Sequence, residues 1–312
     1  MDVITLGESM VLFTPDSPGP LRFATNFNKK LGGAESNVAI ALSRLGHQTG
    51  WISRLGSDEF GLYVRNFIRG EGVDTSRVIF DEQNQTAVFF KGLNPGQDPN
   101  VFYYRKHSAA SQLSPENIDE SYVSKAKYIH LTGITPALSP TCRETIYHVL
   151  DLAKKHKQTV VFDPNIRLKL WSKEEASDVL SDIAKQCHIV LPGIDEGQLL
   201  TGNDSPEEVA NDLLQGDTHT VVVKLGEKGS FLATKDHQQY VPAVNVSHVV
   251  DTAGAGDGFA AGFMSGLLRG FDYLQSVELG NRIGAHALSV SGDVEGYPYW
   301  NKMNTNNQEV LR

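Results

Sequence analysis

Cysteine is nearly absent from this chain: Cys142 and Cys187 are the only two among 312 residues. Two cysteines without metal-ligand spacing build no disulfide framework and read as ordinary reduced thiols. Long apolar runs are missing as well, since nothing approaches the roughly 20 residues that a membrane span requires. The start, Met1 to Gly7, has neither a basic segment nor a long apolar one. It reads as a first β-strand rather than a signal peptide, which points to a cytoplasmic location. Positive charge is scarce, with 28 Lys and Arg against 37 Asp and Glu and a formal net charge of −9. Such a balance offers no basic footprint to a nucleic acid, so an anionic substrate has to be held by locally placed cations. No Gly-Lys pair of a Walker loop occurs, nor the His-Arg-Asp of a protein kinase. A Gly-x-Gly-x-x-Gly turn is missing from the N-terminal region, which disfavours a Rossmann dehydrogenase.

What is present is ordinary for a globular enzyme: 40% hydrophobic and 21% charged residues. With no repeat or long linker, residues 1–312 read as one domain. Short β-branched runs at Val3–Leu6, Thr159–Phe162, His188–Leu191 and Thr220–Val223 alternate with amphipathic helical patterns, as over 172–186 and 206–214. This alternation predicts an α/β fold with a mostly parallel central sheet flanked by helices. Two regions, about 10–28 and 86–107, break the alternation with aromatic and β-branched residues around turn signals such as Asn94 to Pro99. They read as antiparallel strands of a small β lid. Within it, period two puts Tyr103 and Arg105 on one face, Phe102 and Tyr104 on the other. The polar tail from Asn301 has few apolar anchors and is expected to be loosely held.

The strongest local signal is Val249-Val250-Asp251-Thr252-Ala253-Gly254-Ala255-Gly256-Asp257-Gly258-Phe259. It reads as a short strand, a turn of small residues, and a helix carrying Phe259, Phe263 and Leu267 as far as Gly270. Glycines let the backbone approach a ligand closely, and the N–H groups of a helix start suit phosphate oxygens. Asp257, at that start, is a candidate general base for an attacking hydroxyl; the plainer reading is a helix N-cap.

Asp251 to Asp257 resembles the second signature of PfkB-type, ribokinase-like carbohydrate kinases, and Leu31-Gly32-Gly33-Ala34-Glu35-Ser36-Asn37-Val38-Ala39 resembles the first, in the family's order and spacing. The resemblance runs through nearly the whole chain. It implies a kinase using ATP and Mg²⁺, with Asp257 as catalytic base and Gly254, Ala255 and Gly256 as an anion hole. It implies Gly33 and Asn37 near sugar hydroxyls and leaves a monovalent cation open. Lys224-Leu225-Gly226-Glu227-Lys228-Gly229 looks like the family's nucleotide turn; Gly226 and Gly229 are its better candidates, Lys224 and Lys228 being placed for phosphate or for solvent. Glu196 matches a Glu that helps to organise Mg²⁺ indirectly, but Gly193 stands where an Asn is usual.

Within the family, Val101–Arg105, Asp163–Arg167 with Leu170-Trp171, and Ser291–Asp293 resemble kinases of 2-keto-3-deoxygluconate, which phosphorylate the 6-hydroxyl. That implies a sugar acid bound by Tyr103, Arg105 and Arg167, with Asp293 a further contact, Phe89 lining the pocket and Asn165 near ATP. Guanidinium groups suit the carboxylate. The plainer readings are an edge-strand charge for Arg105 and a structural ion pair for Arg167. A fructokinase or ribokinase would not need the pair of arginines, and a silent sugar-acid-binding module would not need Asp257. The resemblance also implies a homo-oligomer built through the lid.

Overall fold

The computed structural model describes residues 1–93 and 100–303. The Asn94 to Pro99 turn and the tail from residue 304 lie outside the described residues. The strands in chain order are β1 (Val3–Leu6), β2 (Met10–Pro15), β3 (Phe27–Gly32), β4 (Thr49–Gly56), β5 (Val78–Asp81), β6 (Val88–Lys91), β7 (Val101–Tyr104), β8 (Tyr128–Thr132), β9 (Thr159–Asp163), β10 (Ile189–Val190), β11 (Thr220–Lys224), β12 (Ser230–Thr234) and β13 (Gln238–Val241). Nine of them form one sheet in the order β13-β12-β11-β10-β9-β8-β1-β4-β5. From β11 to β5 every pairing is parallel; β12 and β13 close the other edge antiparallel. The strand order turns around between β1 and β8. A crevice at such a reversal, past the carboxyl ends of the strands, is where open α/β sheets take ligands.

Burial on both faces explains the continuous β-branched runs: Val221, Val222 and Val223 are all fully buried. One face carries Val3, Trp51, Val161 and Val222 against the helices Ala34–Arg44, Ala255–Leu268 and Tyr273–Ala287. The other carries Ile4, Ile129, Phe162 and Val223 against Pro140–His156 and Lys173–Lys185. The pattern over 172–186 resolves into Lys173–Lys185, whose N-cap Ser172 accepts from the Glu175 N–H at 3.1 Å. The one over 206–214 becomes Pro206–Leu213 behind Ser205. No described helix is long and apolar enough to cross a membrane.

The second sheet runs β3-β2-β6-β7: two antiparallel hairpin pairs joined through a parallel β2–β6 contact. β3 extends beyond the expected limit at residue 28, because Asn28, Lys29 and Lys30 give an edge strand no apolar alternation. Met10, Leu12, Ala87 and Phe89 make its inner cluster, with Tyr103 packed against them, while Phe102 and Tyr104 stay 51% and 66% exposed on the outside.

The Val249-Val250 strand does not form. Both residues are half exposed, at 49% and 50%, and pair with neither sheet. The Val250 N–H donates instead to the Leu288 carbonyl at 2.8 Å.

Gly133 shows how tightly strand ends are fitted: its N–H donates to the Asp163 carbonyl at 3.0 Å, and a Cβ there would stand 2.0 Å from the Pro164 carbonyl oxygen. Gly133→Ala should therefore lower the unfolding free energy by roughly 1–3 kcal/mol. An unchanged urea midpoint would mean that the loop after β9 yields freely.

Candidate functional site

The crevice is lined by polar residues at consecutive strand ends. Asp163 closes β9 and Lys224 closes β11, and their side chains, 3% and 18% exposed, meet at 2.6 Å. Burial works against the Lys224 ammonium, but the Asp163 and Glu196 carboxylates outweigh it and hold its pKa above the usual lysine value. Glu196, in the first turn of Ile194–Thr201, accepts from the Ile166 N–H at 2.8 Å and the Gly193 N–H at 2.7 Å. Its two oxygens thus fasten the loop after β9 to a helix start. Burial raises its pKa, with Lys224 opposing. No three His, Cys, Asp or Glu side chains among the described residues are grouped to hold a metal ion. Asn165 sits in that loop with φ of 39°, buried, its Oδ1 without a partner.

Two helix starts converge beside this pair. Gly254 opens Ala255–Leu268 with φ of 74°, where a Cβ would come within 2.1 Å of the Asp293 carbonyl oxygen. Position 254 therefore requires glycine on both counts. A Cβ on Gly256 would meet only Lys224 Nζ, at 3.6 Å, so an ammonium flanks the helix start. Asn37, in the first turns of Ala34–Arg44, donates from Nδ2 to Asp257 Oδ2 at 2.8 Å. Although Asp257 keeps part of its surface open, the protein packed around it pushes its carboxyl up to about 7; nearby Asp163 and Asp293 add to the rise, and Asn37 and Arg167 oppose it. Asp293 is likewise raised, to about 6, by burial against the opposition of Lys91 and Asn37. Gly33 approaches this chain itself, a Cβ there meeting the Glu8 carbonyl and Ser9 Oγ at 2.7 Å.

The lid brings Phe89 and Tyr103 over this point as stacked rings 5.4 Å apart. A Cβ on Gly32 would touch Phe89 at 2.6 Å and Asp293 Oδ2 at 3.1 Å, which places both beside the first glycine turn. Arg105 faces inward with Tyr103 but is engaged: its Nη2 lies 2.6 Å from Glu8 Oε2, the side chains 9% and 0% exposed. Glu8 Oε1 also accepts from Ser108 Oγ. Arg167 is exposed and makes no ion pair among the described residues, yet its charge reaches Asp257. Gly226 and Gly229 form a short turn after β11, with φ of 59° and 93°. Gly226 faces open space, whereas Gly229 packs on the Val241 carbonyl.

Sequence reasoning did not single out Glu8, Asp163 or the Lys91–Asp251 pair as site residues. The usable signal for the first two was position: both stand at or just past strand carboxyl ends.

The pfkB family carbohydrate kinase profile matches residues 2–299. The chain is 40% identical over 305 residues to a 2-dehydro-3-deoxygluconokinase of Bacillus subtilis, covering 97% of this chain and 94% of that one. It is 32% identical over 287 residues to a 5-dehydro-2-deoxygluconokinase of Geobacillus kaustophilus, covering 90% and 85%. An E. coli protein assigned as ribokinase II, solved with ATP and Mg²⁺, superposes with a TM-score of 0.91 at 26% identity, over 97% of this chain and 98% of that one.

The raised carboxyl of Asp257 links stability to pH. Its proton is held more tightly in the folded chain, so the associated stabilisation is complete below the unfolded value of 3.8 and is lost as the pH rises through about 7. Asp257→Asn should therefore gain stability relative to the unmodified protein between pH 5 and pH 8. Thermal unfolding at several pH values reads this, and a difference constant with pH would contradict the raised carboxyl.

Proposed function

The chain belongs to the pfkB family of carbohydrate kinases, and on that footing we propose that it transfers the γ-phosphoryl group of ATP to the 6-hydroxyl of 2-keto-3-deoxygluconate. The observation that carries the reading is the placement of Asp257, in the first turn of a glycine-opened helix and 2.8 Å from Asn37 Nδ2, where the surrounding protein pushes its carboxyl up to about 7. A base with that pKa is matched to taking a hydroxyl proton near neutral pH.

ATP lies past the strand ends with its phosphates at the start of Ala255–Leu268, where backbone N–H groups of Gly254, Ala255 and Gly256 and the Lys224 ammonium meet negative charge. Mg²⁺ brought with ATP would neutralise phosphate charge here, and Glu196, with both oxygens on backbone N–H groups, would organise the site around it indirectly. Asn165 and the turn at Gly226 and Gly229 border the nucleotide. The sugar lies under Phe89 and Tyr103, against Asn37 and Asp293. Asp257 takes the 6-hydroxyl proton as that oxygen bonds to the γ-phosphorus, and the bond to the bridging oxygen of the leaving ADP breaks.

The two arginines divide the recognition of the acid. Glu8 already neutralises Arg105, which is left to offer N–H donors to the sugar. Arg167 has no carboxylate partner among the described residues and supplies the charge for the sugar carboxylate. A 5-dehydro-2-deoxygluconate also carries a carboxylate, so the same division serves that acid, the substrate in the name of the Geobacillus relative. We place the activity in the cytoplasm, where ATP is at hand.

Lid-to-lid association is supported by the outward Phe102 and Tyr104, 51% and 66% exposed, with Phe23 at 73%. Tyr104→Lys should shift a sedimenting homo-oligomer toward monomer; an unchanged mass would place the interface elsewhere.

A coupled ADP-release assay with Mg-ATP tests the function against 2-keto-3-deoxygluconate, 2-keto-3-deoxygalactonate, 5-dehydro-2-deoxygluconate, fructose and ribose. Preference for the first is expected, and preference for fructose or ribose would discard the acid reading. Arg167→Gln should cost roughly 10- to 100-fold in kcat/KM for the acid. Asp257→Asn should lower kcat by about 10²- to 10⁴-fold with ATP affinity kept, and near-normal turnover would remove Asp257 as the base.

A further inference from the structure

Lys91 is the last residue of β6, and its ammonium reaches across the crevice to Asp251, 2.7 and 2.8 Å from the two carboxylate oxygens. The pair joins residues 160 positions apart. Asp251 organises the glycine turn from within: its Oδ1 accepts from the Ala253 N–H at 3.1 Å and its Oδ2 from the Gly292 N–H at 3.4 Å. Burial alone would raise its pKa, but the bond from Lys91 and the backbone bond from Ala253 hold it below the usual aspartate value. Gly254 directly follows Ala253 and Asp293 directly follows Gly292, so one carboxylate ties together the segments that lead to both.

The lid side is as direct. Phe89 and Lys91 are two positions apart in one strand and share a face. The strand that sets Phe89 over the sugar side thus sets Lys91 on the turn at the phosphate side. Two other lysines bridge the lid and the body: Lys30 Nζ donates to the Ser291 carbonyl at 2.9 Å, and Lys169 Nζ to the Val101 carbonyl at 3.0 Å. Both of those bonds are exposed, whereas the side chains of Lys91 and Asp251 are only 12% and 14% exposed. A shielded ion pair resists screening and is costly to break on one side; an exposed one contributes little.

We infer that Lys91 is a positioning residue that couples closure of the lid over the sugar to the shape of the phosphate-binding turn, so that ATP is committed only when the sugar side is closed. β6 cannot lift from the crevice without withdrawing the cation that balances Asp251, and a loosened Asp251 releases the turn before Gly254. An open lid admits water, which competes with the sugar hydroxyl for the γ-phosphoryl group. This rests on the kinase reading but not on which sugar is the substrate.

The test compares Lys91→Met, which keeps length and removes charge, with Lys91→Arg, which keeps charge. In the full chain, Lys91→Met should raise sugar-free ATP hydrolysis relative to sugar-dependent ADP release by roughly fivefold or more, and raise the KM for the best sugar of the panel more than it lowers kcat. Lys91→Arg should return both toward the original values. Amide hydrogen exchange over Val88–Lys91 and Val101–Tyr104 should quicken in Lys91→Met without ligands, an arm that decides the lid's attachment even if no sugar of the panel is turned over. Unchanged exchange in the lid strands would overturn the inference. So would a uniform loss of stability and activity with the ratio of hydrolysis to transfer kept.

Discussion

Asn37 gives its amide to Asp257 and lowers the pKa of neighbouring Asp293, and the crevice is built around the cost of burying these two carboxyls. Asn37 donates to Asp257 at 2.8 Å and lowers the pKa of Asp293 as well, yet burial first and neighbouring carboxylates second prevail and both carboxyls rise, to about 7 and about 6. Ionising both together is unfavourable in such a site. The protein tolerates this because the two helices that carry Asn37 and Asp257 pack on each other and on the sheet through Val38, Ala41, Phe259 and Phe263, so the polar contact stands on an apolar foundation. Moving either helix start would strand Asp257 without the amide of Asn37.

The cations around this pair are nearly all occupied. Lys224 is taken by Asp163, Arg105 by Glu8, Lys91 by Asp251, while Arg167 has no carboxylate partner among the described residues. Pre-paired cations hold their geometry before any substrate arrives and offer remaining N–H directions rather than net charge. An unpaired guanidinium at the rim offers charge and adjusts to its ligand. In a chain of net charge −9, this allocation concentrates attraction for an anion at one place instead of spreading it over the surface.

The sequence made some of this legible and hid the rest for identifiable reasons. Strand ends and helix starts follow local rules, so the Ala255–Leu268 helix, the exposed Phe102 and Tyr104, and the inward Tyr103 and Arg105 could be read from periodicity and glycine placement. Partner choice follows no local rule. Glu8 and Arg105 lie 97 positions apart only by count, and meet because β2 and β6 pair in the lid while Glu8 leaves β1 beneath them. Val249-Val250 carried the composition of a strand but pairs with none, its Val250 N–H being taken by the Leu288 carbonyl, a tertiary contact that composition cannot express. Gly193, a departure from the expected Asn, keeps its backbone N–H on Glu196, so the link between the two loops survives the change of side chain.

The lid fits the same scheme. A sheet of two short hairpins buries little of its own surface, with Met10, Leu12, Ala87 and Phe89 as its core. Small sheets of that kind are marginal alone, so its position depends on what it touches: Val11 and Leu31 are fully buried in the core of the body, and other lid residues reach the crevice. Phe89 against Gly32, Arg105 on Glu8 and Lys91 on Asp251 are contacts to three separate segments of the site. A lid tied by ion pairs to the groups it covers has its closure tuned by their electrostatic state, because the Arg105 and Lys91 contacts weaken when the partner carboxylate is moved or protonated. The charges that prepare the crevice for anions are therefore also the charges that keep it shut.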